Sequence, residues 1–221
     1  MGRTQRHAHR DRCRASARLS GGAGASVPLV PPPRPDGKLG MIITYLEMRE
    51  VPKRVPHPAP KRKLALLRAE AIPLHFYRYL YNTVGEPWLW YERRVMDDAS
   101  LSAAIHDKGV DIYVLYVGGA PAGYAELARR ARGETELAYF GLMPEFIGQG
   151  FGGYLLDWTI DTAWRANPRR LWVHSCNLDH PRALQTYQKA GFVPYRQEHQ
   201  TIDDPRTTGA IPWPKAGQRR R

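Results

Sequence analysis

Apolar and polar positions along this chain change period twice, and each change marks a different kind of element. Residues 1–40 show no period at all and read as disordered. Ordered sequence begins abruptly at Met41-Ile42-Ile43-Thr44-Tyr45-Leu46-Glu47-Met48. A Pro-rich linker follows at 52–60, and 63–70 reads as a short strand or turn. Residues 73–83 fit a helix with Pro73 at its first position. Its rings Phe76, Tyr77, Tyr79 and Tyr81 cover more than one face. Gly85-Glu86-Pro87 breaks it, and the aromatic run Trp88-Leu89-Trp90-Tyr91 comes next. A second short helix spans 100–108, with Ser100 as its expected N-cap. The pattern then switches to alternation. Strands at 111–117, 122–129 and 134–143, separated by Gly118-Gly119 and Arg132-Gly133, predict an antiparallel meander. Helical spacing returns with Leu156, Ile160, Ala163 and Trp164, in a helix starting near Tyr154 and stopped by Asn167-Pro168. A strand at 170–176, a helix at 180–190 closed by Gly191, and a last strand at 192–199 complete the order.

Composition sets the bounds. The 221 residues, 43% of them hydrophobic, suit one domain with tails. The net charge of +12 is concentrated at the ends: +6 on residues 1–40 and +4 on 215–221, which leaves about +2 for the rest. The basic tails read as solvated segments rather than a nucleic-acid surface. An Arg-rich, acid-poor start resembles a transit peptide, but no clean amphipathic helix accompanies it, and Met41 is the expected start of the protein. Two cysteines, Cys13 and Cys176, make no disulfide framework and no metal pair, which fits a reducing cytoplasm. No apolar run is long enough to cross a membrane.

The densest chemical signal is Ile147-Gly148-Gln149-Gly150-Phe151-Gly152-Gly153. Four glycines in seven residues leave backbone N–H groups uncovered between a strand and a helix whose positive end faces them. That arrangement holds anions such as phosphate. A P-loop would need Gly-Lys-Ser/Thr, whereas Gly152-Gly153-Tyr154 stands here. The dinucleotide spacing G-x-G-x-x-G is met literally by Gly148, Gly150 and Gly153. Its βαβ setting is missing, because the preceding strand ends an antiparallel meander.

Leu142-Met143-Pro144, the glycine loop, and Ala183-Leu184-Gln185-Thr186-Tyr187-Gln188-Lys189-Ala190-Gly191-Phe192 together resemble the GNAT acyltransferase superfamily, over about residues 111–193. Gly150 and Gly152 match its Q/R-x-x-G-x-G/A loop, and the A-x-x-x-Y-x-x-x-G-F ending is intact. Ile147 departs from the Gln or Arg of the loop, and His180 from a frequent Asn. The resemblance implies a single α/β GNAT-like domain at about 41–200, with a mixed, mostly antiparallel sheet flanked by helices, and a flexible basic tail at 201–221. It implies acetyl-CoA as co-substrate, held by Leu142, Met143, Gln149, Gly150, Phe151, Gly152 and Gly153. An exposed strand edge near 141–143 would pair with the pantetheine arm. Tyr187 matches the family's general acid, the Leu142 N–H is an oxyanion donor, and Glu136 or Glu126 is the expected base. No metal is expected. Cys176, close in sequence to His174 and His180, reads as a structural thiol.

The implied activity is N-acetyl transfer to a primary amine by direct attack in a ternary complex. A CoA-binding regulatory module, or a nucleic-acid-associated protein acting through basic tails, are the alternatives. The acceptor is a small-molecule or peptide amine, with the aromatic segment 76–91 as one wall of its cleft. A dimer is one option the sequence leaves open.

Overall fold

The computed structural model describes residues 32, 34–130 and 133–213. In chain order these form strands β1 (Lys38–Met48) and β2 (Leu64–Arg68), then helices α1 (Leu74–Gly85), α2 (Glu92–Val95) and α3 (Asp98–Ile105). Strands β3 (Val110–Val117), β4 (Ala120–Arg130) and β5 (Glu134–Leu142), helix α4 (Phe151–Arg165), strand β6 (Arg170–Cys176), helix α5 (Ala183–Lys189) and strand β7 (Val193–Asp203) follow. Seven strands make one mixed sheet in the order β2-β3-β4-β5-β6-β1-β7. Every neighbouring pair is antiparallel except β5 and β6. This is the expected α/β class.

The meander forms as its alternation predicts. Gly118 and Gly119, both at positive φ, supply the tight turn between β3 and β4. Along these strands alternate residues serve two faces. Ile112, Val114 and Tyr124 pack under α1 and α3, while Ala125, Leu127 and Leu137 pack under α4 and α5.

Among the boundaries that differ from the sequence reading, three have a clear local reason. Helix α3 is capped by Asp97, whose side chain accepts from the Ser100 N–H at 2.7 Å, so Ser100 is the donor in the first turn and not the cap. Helix α4 starts at Phe151, three residues early, because Gly150 caps it in the left-handed region (φ 85°). Strand β1 starts at Lys38, where Lys38, Leu39 and Gly40 pair with Asp203, Ile202 and Thr201 of an extended β7. Leu39 is buried beside Leu89, Leu178 and Ile211. Residues 204–213 fold back over this end, held by the Asp204 N–H on the Gly37 carbonyl at 2.9 Å and by Ile211 in the Leu39 cluster. The ordered region therefore extends past both expected boundaries, 41 and 200. The expectations for residues 1–31, 33, 131–132 and 214–221 lie outside the described residues. Among the described residues no helix is long and apolar enough to cross a membrane.

Strand β1 fills the slot between β6 and β7, so the two termini of the fold meet in the sheet. On the other side of β6, the parallel pairing with β5 lasts for three residue pairs, Glu134–Glu136 with Arg170–Trp172. Past Glu136 the strands part, while β5 continues alongside β4 as far as Leu142 opposite Gly123.

Candidate active site

The parting of β5 from β6 opens a cleft of about 750 Å³ through the sheet. One side is the free edge of β5 from Leu137 to Leu142, and the other is Val173, His174 and Cys176 of β6. Gly148, Gly150, Gly152 and Gly153 line one end. Trp88, Trp90, Tyr91 and Glu92 line another part, and Ala183, Thr186 and Tyr187 of α5, with Ala190 just past its end, also line it.

The glycine loop meets the physical test for an anion. Gly148 and Gly150 both take positive φ, and a Cβ built on either meets no atom within 4 Å, so the loop presents bare backbone to open space. It sits at the N-terminus of a 15-residue helix with no side-chain cap. The first-turn N–H groups therefore remain to be satisfied by a ligand or water.

The residues expected to hold the cofactor divide. Leu142, Gly150, Gly152 and Gly153 line the cleft. Met143 is buried in the core under α1, and its N–H is spent on the Ala122 carbonyl at 2.9 Å. Because successive strand N–H groups point to opposite edges, the Leu142 N–H faces the cleft. Phe151 is buried against Leu115, Val117 and Leu155. The Gln149 side chain turns back to donate to the Glu145 carbonyl at 2.6 Å.

Tyr187, the expected general acid, lies on α5. The residue lines the cleft and is 7% exposed, with its ring against Phe140 (6.2 Å) and Phe192 (5.9 Å). No protein group among the described residues hydrogen-bonds its hydroxyl. Burial raises its pKa far above the ordinary phenol value, so the proton is retained.

Neither candidate base lies on the cleft wall. Glu126 is fully buried, accepting from the Tyr77 hydroxyl at 2.6 Å and from Arg93 Nη2 at 2.9 Å. Burial raises its pKa in spite of Arg93. It is closed off under α1 and is not placed to take a proton from a substrate. Glu136 is also buried and ion-paired with Arg130. Burial alone would raise its pKa, but His174 and Arg130 outweigh that and lower it. Its carboxylate Oε1 stands 3.5 Å from Nδ1 of His174, and His174 does line the cleft. The contact with Glu136 raises the imidazole's pKa. His174 was overlooked because alternation cannot say which residue of a neighbouring strand a buried carboxylate meets.

Other expected features separate in the same way. Trp88, Trp90 and Tyr91 face the cleft, whereas Tyr77 and Tyr81 belong to the core and Tyr79 is exposed. Asp179 lines the cleft too, accepting from Trp90 Nε1 at 3.1 Å and from the Ser175 hydroxyl at 2.9 Å. Burial pushes the Cys176 thiol up to about 12, far from a thiolate nucleophile at neutral pH. His180 lines the cleft against Trp88 at 5.0 Å. Among the described residues no group of three or more His, Cys, Asp or Glu side chains is placed to hold a metal ion.

The sequence profile of the Acetyltransferase (GNAT) family matches residues 74–192. No curated protein matches the chain. Solved structures resemble it in fold. Spermidine N-acetyltransferase from Vibrio cholerae, crystallised with CoA and spermine, is 20% identical with a TM-score of 0.50, covering 64% of this chain and 95% of its own. A functionally unknown conserved protein from Staphylococcus epidermidis is 16% identical with a TM-score of 0.50, over 76% of this chain. A GCN5-related N-acetyltransferase from Sphaerobacter thermophilus is 16% identical with a TM-score of 0.50, over 75% of this chain. The chain spans 64% of the length of the staphylococcal protein and 52% of the length of the Sphaerobacter one.

Proposed function

The chain belongs to the GNAT acetyltransferase family, whose members use acetyl-CoA, and from that premise we propose that it is an N-acetyltransferase acting on a primary amine. The observation that carries this reading is the split after the third β5–β6 pair. It joins an anion-binding loop, a free strand edge and a buried tyrosine in one cleft. The pyrophosphate would lie on the N–H groups of the glycine loop, and the pantetheine amides along the β5 edge.

In this reading the amine nitrogen attacks the thioester carbonyl carbon directly. The C–N bond forms as the C–S bond breaks, and CoA leaves as the thiol. The Leu142 N–H stabilises the developing oxyanion. Tyr187 supplies the proton to the departing sulfur. The amine's proton goes to Nε2 of His174, which Glu136 orients from behind, so Glu136 acts through the imidazole. Solvent returns the proton to Tyr187 and takes up the one held by His174. Trp90, Tyr91, Tyr139 and Glu92 form a wall suited to an ammonium-bearing substrate with an apolar body. The two cysteines, which make no disulfide framework, support a reducing cytoplasm as its setting.

The test pairs ligand stabilisation with turnover. Acetyl-CoA should raise the melting temperature and NAD should not. Thiol release should then depend on an added amine, across a panel including spermidine and aminoglycosides. Stabilisation without thiol release on any amine would favour a CoA-binding module. Stabilisation by NAD alone would overturn the reading.

A further inference from the structure

We propose that His57, carried by the Pro-rich segment between β1 and β2, is a binding residue for the CoA pyrophosphate and donates to it through Nε2. This rests on the acetyltransferase reading above.

The glycine loop has no charge of its own. Residues 147–153 contain only Ile, Gly, Gln and Phe, so the loop itself offers phosphate only backbone dipoles, and Arg182 lines the pocket on its Ile147–Gly148 side. A cationic group must come from elsewhere in the fold. His57 lines the same cleft as Gly148 and Gly150.

Its position is built. Arg54, 12% exposed, clamps the segment to α4 through Asp157 Oδ1 (2.9 Å) and Asp161 Oδ1 (2.8 Å). Asp157 Oδ2 then receives the His57 backbone N–H at 2.6 Å and stands 2.7 Å from His57 Nδ1. These contacts fix both backbone and ring. Burial would raise the Asp157 pKa, but the bonds from His57 and Arg54 lower it, so the carboxylate stays charged. With Nδ1 facing the carboxylate, Nε2 is the ring's outward nitrogen. No protein group among the described residues hydrogen-bonds it, and the side chain is 62% exposed.

The ring's outward edge lies over the first turn of α4. A Cβ built on Gly153 would fall 2.7 Å from both Nε2 and Cδ2 of His57. Glycine at 153, the third residue of α4, is what admits the imidazole beside the helix's free N–H groups. An anion held by those groups stands beside Nε2, which donates to it as the imidazolium, since Nδ1–H is turned to Asp157. The charged groups facing the ring are Asp157 on α4 and Arg54 on its own segment, with Asp161 beyond Arg54.

The experiment is calorimetric titration of the full chain with CoA and with 3′-dephospho-CoA, at pH 6 and pH 8.5. Wild type should bind both and lose affinity toward pH 8.5. His57→Ala should bind both about 10- to 100-fold more weakly at pH 6, the worth of one charge-assisted hydrogen bond, with a flatter pH dependence. Gly153→Ala, which drives the ring off the turn without altering His57, should weaken binding in the same direction. Melting temperatures of the free variants identify any loss of fold. Folded His57→Ala binding within twofold of wild type at pH 6 overturns the proposal. A loss seen with CoA and absent with dephospho-CoA overturns it too, since His57 would then meet the 3′-phosphate. If wild type binds neither ligand, it is the acetyltransferase reading that fails.

Discussion

Gly150→Ala separates the backbone role of the glycine loop from its ligand role. Gly150 sits at φ 85°, where a residue with a Cβ costs about 1–2 kcal/mol. Adding a Cβ also removes freedom from the unfolded chain, which offsets about 0.4–1 kcal/mol. Nothing lies within 4 Å of the new methyl, so no packing clash adds to this. The free protein should therefore lose only about 0–1.5 kcal/mol, a fall of at most roughly 6 °C in melting temperature for a chain this size. The methyl points into the space where a phosphate would lie and tilts the N–H groups of the first turn of α4. Losing one charge-assisted hydrogen bond, about 1.5–3 kcal/mol, weakens CoA binding about 10- to 100-fold. Urea denaturation of the free protein gives the first number and calorimetric titration with CoA the second. CoA affinity within twofold of wild type would mean the loop holds no phosphate. Destabilisation of the free protein beyond about 3 kcal/mol would mean the loop carries a packing role that its open surroundings do not explain.

Three further outcomes follow from contacts described above. Tyr187→Phe keeps the ring against Phe140 and Phe192, so stability and CoA affinity should change little while turnover on a good amine falls about 10²–10⁴-fold; unchanged kcat would make the hydroxyl dispensable. Removing residues 1–33 should leave the melting temperature unchanged, whereas removing 1–40 should lower it, because Leu39 leaves its core position and β7 loses three partners; equal melting temperatures would contradict the placement of Lys38–Gly40 in β1. Glu136 has a lowered native pKa, so the folded state binds fewer protons there and its stabilisation is lost as pH falls through and below the ordinary carboxylate value of about 4.3. The stability gap between wild type and Glu136→Gln should therefore narrow from pH 7 to pH 3, and a constant gap in urea titrations would refute the ion-pair account.

What could be read from the sequence depended on how local the cause was. The turn at Gly118-Gly119, the glycine loop and the stop after α4 are set by residues within a few positions, and the strands of the meander followed. Asp97 was passed over for Ser100 because capping depends on which residue turns back, three positions apart on the same side chain-to-backbone bond. Glu126 and Glu136 both looked like strand carboxylates open to a cleft. Their partners Tyr77, Arg93, Arg130 and His174 come from other elements, and no spacing along one strand reveals them. His57 left no signal, since its ring is placed by Asp157, a hundred positions along the chain. The insertion of β1 between β6 and β7 was equally hidden, because alternation fixes a strand's faces and says nothing about its neighbours.

That insertion has a consequence for how the molecule is made. Strand β1 is synthesised early, yet its two partners begin at Arg170 and Val193. About 120 residues must emerge before it can pair, which at typical translation speeds is roughly 6–25 s. Through that interval the meander can close on its own, while β1 waits with both edges unpaired. Long-range pairing of this kind is slow, because the loop must be closed before any contact rewards it. Pulsed hydrogen exchange during refolding should find the β1 amides protected after those of β3 and β4, and simultaneous protection would show that the termini dock early. If β1 docks last, a nascent chain carries its glycine loop before Met41 and Ile43 complete the cleft, and competence to bind CoA arrives as the final step of maturation.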